Sequence, residues 1–157
     1  MPKARPIFNQ LNIVSGNVAA SIEFYRRLGV EIPQASVWRT QTGVHHASTK
    51  DAANENALDL EFDSIAFARI WNAGWSGRDD LRGRMVIGFQ VPSRDNVDAL
   101  YADLTGAGYA GLQTPYDAFW GSRYAVVEDP DGVAVGFMSP VAEEWRSKPP
   151  EILANGL

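Results

Sequence analysis

Polar and apolar residues alternate along several short stretches of the chain, and two longer stretches place apolar residues at helical spacing. Over Phe8–Val14, Leu11 and Ile13 share one face while Gln10, Asn12 and Val14 share the other, which predicts a half-buried strand. Ser15-Gly16-Asn17 breaks it, and Asn17 is placed to cap a helix over Val18–Leu28 that Gly29 ends. Its stripe is Val18, Ser21, Ile22, Phe24, Tyr25 and Leu28. Between Val30 and Ser48, β-branched residues and Trp38 are interrupted by Pro33 and Gly43, as two short strands would be. Leu58–Phe62 alternates cleanly and predicts another strand. Asp63–Arg84 reads as a connector, with an aromatic, partly helical half (Phe67, Ile70, Trp71, Trp75) followed by the polar run SGRDDLRGR.

Alternation resumes over Arg84–Val91, with Val86, Gly88 and Gln90 opposite Met85, Ile87, Phe89 and Val91. Ser93 can cap a helix over Arg94–Ala107, striped by Val97, Leu100, Tyr101 and Leu104 and stopped by Gly108. A strand around Tyr109–Gln113 comes next, then a loop with Tyr116, Phe119 and Trp120. A hairpin follows, Tyr124–Glu128 and Val133–Met138, turning at Asp129-Pro130-Asp131-Gly132. The tail, 139–157, holds a short helix near Glu143–Arg146, and Pro149-Pro150 ends it.

The two strand–helix starts resemble each other. An offset of 76 pairs Gln10 with Val86, Ile13 with Phe89, Tyr25 with Tyr101 and Leu28 with Leu104. At the far end an offset of 75 pairs Leu60 with Val135, Glu61 with Gly136 and Phe62 with Phe137. The chain therefore reads as two copies of a βαβββ unit, 7–62 and 84–138, joined by the connector 63–83.

Composition narrows the partners. With Lys+Arg 14 against Asp+Glu 19 the net charge is −5 and no basic cluster stands out, so nucleic acid and anionic membranes are not expected partners. A neutral or cationic small molecule suits this charge. Cys is absent, which removes disulfides, thiolate nucleophiles and Cys-ligated metals together. No leader or membrane-length apolar run is evident, so a cytoplasmic protein is expected.

Asn17–Gly29 (NVAASIEFYRRLG) and Ser122–Gly132 (SRYAVVEDPDG) resemble the vicinal oxygen chelate superfamily, which holds glyoxalase I, bleomycin-resistance proteins and extradiol dioxygenases. The WGSRY-to-DPDG segment is most similar to the bleomycin-resistance-like branch. This resemblance implies an α+β fold in which two βαβββ repeats form a curved, incompletely closed mixed β-barrel around a cavity. It implies one such domain over 1–157, commonly paired as a homodimer.

Enzymes of that superfamily hold a divalent metal with four side chains, from the first and last strand of each unit. The resemblance carries these positions onto Gln10, Glu61, Val86 and Gly136. Val86 and Gly136 offer no donor, so no metal is expected. Extradiol chemistry also needs two imidazoles, which positions 10 and 86 lack. His45 and His46, adjacent on a strand, point to opposite faces and cannot jointly chelate one ion. One of them can join Glu61.

The expected cavity wall is polar in the first unit (Gln10, Asn12, Asp59, Glu61) and small or apolar in the second (Val86, Gly88, Gln90, Ala134, Gly136, Met138). Small residues there leave room for an organic ligand. Trp38, Trp120, Tyr116 and Phe119 are candidate stacking groups, and His46 is a candidate polar contact. Three functions stay open at this point. The first is a metal-free binder that sequesters a planar or cationic compound. The second is a glyoxalase-like lyase or isomerase with Glu61 as base and a degenerate metal site; the third is a non-catalytic binding subunit.

Overall fold

Caps and stops sit where the alternation pattern places them. In a computed structural model, the described residues are 8, 10–50, 58–72 and 85–150. The chain divides between residues 80 and 81 into two compact units.

In the first unit, β1 (Gln10–Ser15) leads into α1 (Val18–Leu28), then β2 (Trp38–Thr40), β3 (Gly43–Ser48) and β4 (Asp59–Ser64). The Asn17 side chain accepts from the Ala20 N–H, and Gly29, at φ 103°, closes the helix in a conformation other residues adopt at a cost. The buried residues of α1 are the six of its predicted stripe. Among them, Tyr25 packs with Phe62 of β4, the two rings 4.7 Å apart. Burying a ring such as Phe62 contributes roughly 1.5–3 kcal/mol.

The sheet order is β1-β4-β3-β2, with β1 parallel to β4 and the other pairs antiparallel. Leu60 and Phe62 face the helix, and Asp59, Glu61 and Asp63 face the other way. Two predicted boundaries move. Ser15 belongs to β1, where its hydroxyl is buried against that of Ser21 at 2.8 Å. Asp63 and Ser64, assigned to the connector, complete β4, because the same alternation continues past Phe62. Ser64 then caps α2 (Ile65–Trp71), the helical half of the connector, through the Phe67 N–H. Trp75 and the polar run lie outside the described residues, as do the ends of the chain.

The second unit repeats the plan with β5 (Val86–Gln90), α3 (Arg94–Gly106), β6 (Gly111–Asp117), β7 (Arg123–Glu128) and β8 (Ala134–Met138). Its order is β5-β8-β7-β6, with β5 parallel to β8. Leu11 pairs with Leu60 in one unit and Ile87 with Val135 in the other, so the offsets of 76 and 75 describe equivalent register. The architecture is α+β, two βαβββ modules with open, mixed four-stranded sheets.

Tyr116, expected in a loop, lies in β6. β6 is an edge strand, so Pro115 removes no ladder hydrogen bond that the sheet requires, and two register shifts absorb the irregular sequence. The predicted tail helix is a single 3-10 turn, Glu143–Trp145. Among the described residues, no helix is long and apolar enough to cross a membrane.

Candidate functional site

Five of the residues singled out in the first unit share the open face of its sheet. Register puts Asn12 beside Glu61 and, across β3, His46 opposite Asp63 and Ser48 opposite Glu61. Gln10 Nε2 donates to Glu61 Oε2 at 2.7 Å, and Asn12 Nδ2 donates to the same oxygen at 3.1 Å. Asn12 Nδ2 also donates to Asp63 Oδ2 at 2.8 Å, bridging the two carboxylates. With its N–H bonds so committed, Asn12 Oδ1 is buried without a hydrogen-bond partner among the described residues. Asp59, next to Glu61, accepts the Ser48 and Thr49 hydroxyls at Oδ1, at 2.8 and 3.2 Å.

Asp63 is the residue sequence reading missed. It is 2% exposed. Its Oδ1 lies 2.6 Å from His46 Nδ1, and its Oδ2 takes the Trp71 indole N–H at 2.9 Å as well as Asn12. The available signal was period two: Asp59, Glu61 and Asp63 continue one polar face beyond the point where the strand was ended. His45 points to the other side, its two ring nitrogens held by Ser64 and by Thr42 and Thr40. The expected opposition of the two imidazoles holds.

Electrostatics single out Glu61. Burial, and then the Asp59 carboxyl beside it, raise its pKa above the ordinary glutamate value; the Asn12 N–H and nearby His46 pull the other way without cancelling this. A carboxyl so placed keeps its proton to higher pH than a solvated one.

The metal positions implied by the resemblance do not fit an ion. Val86 is exposed and carries no donor. Gly136 carries none either, and its neighbourhood overturns the expectation of vacant space: a Cβ there would collide with the Tyr124 hydroxyl and lie 2.8 Å from ring carbon Cε2. Val126 is directly opposite Gly136, so Tyr124 reaches it diagonally across the hairpin. At Gly88, by contrast, an added Cβ meets nothing within 4 Å, so room does exist there.

His46, Glu61 and Asp63 form a different group, with ligand-type atoms within 4.8 Å of one another. Both Asp63 oxygens and one Glu61 oxygen already accept N–H groups. Of the three side chains, His46 keeps one ring nitrogen, Nε2, outside this network.

The aromatic candidates fall into two groups. In the first unit Trp38, 45% exposed, lies 5.4 Å from the His45 ring and 5.2 Å from Phe67, which in turn meets His46 edge-on at 5.9 Å. In the second unit Trp120 contacts Tyr116, Phe119 and Tyr124 at 6.4, 5.2 and 5.7 Å. Tyr124, another residue not singled out from sequence, has its phenol pKa raised by burial and by Tyr116. Gln90 and Met138 are paired at the end of β5 and β8. A cavity of about 440 Å³ in the first unit is lined by Asn17, Arg39, Thr42, His45 and Ser64 among others. None of the acceptor-face residues lines it.

Residues 7–137 match the family model described as Glyoxalase/Bleomycin resistance protein/Dioxygenase superfamily. No curated protein matches the chain. Among solved structures, a glyoxalase/bleomycin resistance protein/dioxygenase from Nocardioides is similar at TM-score 0.63 and 20% identity, covering 95% of this chain and 91% of that one. A glyoxalase-related enzyme from Fulvimarina pelagi gives TM-score 0.65 and 18% identity over 89% of each chain. The hypothetical protein SA1046 from S. aureus gives 0.61 and 18%, over 88% of this chain and 95% of that one. At these identities the structural likeness speaks for the fold alone.

Proposed function

The chain belongs to the Glyoxalase/Bleomycin resistance protein/Dioxygenase superfamily, and from that premise we propose that it binds a planar, cationic organic compound without using the superfamily's four-ligand metal. One observation carries this reading: Gln10 and Glu61 remain hydrogen-bonded to each other, while Val86 has no donor and the space above Gly136 is filled by Tyr124.

The acceptor face of the first unit is the binding wall in this reading. Glu61 neutralises ligand charge, Gln10 and Asn12 hold its carboxylate in place, and half-exposed Trp38 offers a stacking surface. The raised pKa of Glu61 favours a second reading, in which the same carboxylate takes a proton from a bound substrate in a lyase or isomerase reaction.

Tryptophan fluorescence titrated with matched cationic, neutral and anionic aromatic compounds tests the first reading. The expected result is saturable quenching that favours the cations and weakens at least tenfold in Glu61→Gln. Quenching by no compound, or equal quenching by all three charge classes, would sink it.

A further inference from the structure

The Asp63–His46 pair has a geometry that neither reading uses. Trp71 Nε1 and Asn12 Nδ2 can only donate, so Asp63 meets both as an acceptor through Oδ2. Its other oxygen lies 2.6 Å from His46 Nδ1. An accepting carboxylate at that distance requires the proton on Nδ1, which leaves the lone pair of the neutral ring on Nε2. Nε2 has no hydrogen-bond partner among the described residues, and the His46 side chain is 26% exposed. Phe67 meets the ring edge-on at 5.9 Å. His45 is the internal contrast, with hydroxyls on both nitrogens.

We propose that His46 Nε2 is a proton-accepting site on the open face of the first unit, with Asp63 as its positioning residue. A buried carboxylate on Nδ1 fixes the tautomer and holds the ring direction, so that the Nε2 lone pair is presented to a proton donor or an electrophile. Trp71 and Asn12 lock the carboxylate itself. Glu61, in the same cluster, supplies a negative charge beside the acceptor. The matching ligand class is an organic molecule with an acidic O–H or N–H, its proton shared with Nε2. The site stands whether or not the compound is a planar cation, so its failure and that of the binding reading are separable.

The test needs no natural ligand. Nitrogen-15 histidine spectra of the whole protein at mildly alkaline pH report the tautomer directly. Diethyl pyrocarbonate then probes the lone pair: Nε2 attacks a carbonyl carbon, the C–O bond to ethyl carbonate breaks, the acylated ring gives up its Nδ1 proton to the ethyl carbonate released, which breaks down to ethanol and carbon dioxide, and N-carbethoxyhistidine remains. Site-resolved mass spectrometry gives the rate at each histidine. Wild-type His46 is expected in the Nδ1–H form, reacting at least as fast as N-acetylhistidine although its ring is mostly covered, and at least tenfold faster than His45. In Asp63→Asn, the Trp71 and Asn12 donors retain the amide oxygen and turn the amide N–H toward Nδ1. The ring then switches to Nε2–H, and the His46 rate falls about tenfold with that of His45 unchanged. A wild-type Nε2–H tautomer, or a His46 rate below that of N-acetylhistidine, overturns the proposal without reference to any variant. A rate indifferent to Asp63→Asn in a folded variant also overturns it.

Discussion

Glu61 and Gly136 occupy equivalent positions in the two units and meet opposite circumstances. At Glu61, burial and the adjacent Asp59 carboxyl raise the pKa, so the native state binds its proton more tightly than the unfolded chain does. Between the ordinary glutamate value and the raised one, the folded state therefore carries more protons. Stability falls as pH rises through that window and levels off above it. Glu61→Gln removes this slope, so the Tm difference between variant and wild type should grow in favour of the variant across the window. A difference independent of pH would contradict the assignment. At Gly136 the constraint is steric. Gly136→Ala places a methyl group against the Tyr124 phenol and should cost roughly 1–3 kcal/mol in urea unfolding. The same substitution beside Tyr124→Ala should cost less than half as much, a coupling that a double-mutant cycle measures. Additive costs would show that Tyr124 is not what excludes a side chain there.

At the scale of elements, local chemistry explains what the sequence revealed and what it concealed. Asn17, Gly29 and Ser93 bracket helices because each does one job with one or two neighbouring backbone groups, and such jobs are visible in a short window. The DPDG turn is equally legible. Asp129 Oδ1 accepts the N–H groups of Asp131 and Val133, both at 2.8 Å, and Gly132 takes φ 84°. Asp129→Ala leaves two turn N–H groups without their acceptor and should destabilise the protein by about 1–3 kcal/mol in chemical denaturation. β6 was harder, since an edge strand tolerates the proline and register shifts that make Tyr116 look like part of a loop. The Tyr124–Gly136 contact was hidden for another reason. It depends on the diagonal neighbour across two strands, which the composition of neither strand reveals. Asp63 was lost at a boundary: Phe62 looked like the last strand residue, although the polar face ran one step further.

For the whole molecule, the internal repeat makes architecture legible while leaving function open. Both units keep the parallel pairing of first and last strand, and with it the positions that the sequence resemblance assigns to metal ligands. The first unit fills those positions with an amide and a carboxylate joined by a hydrogen bond; the second fills them with an exposed valine and a covered glycine. A dimer interface would bring together only identical chains, so pairing cannot restore the missing donors. Loss of the four-ligand metal site is therefore the central proposal for this chain, and elemental analysis of protein purified without added metal decides it. The expected result is far less than one divalent ion per chain, with no change in Glu61→Ala. One tightly held divalent ion per chain, lost in Glu61→Ala, would contradict it.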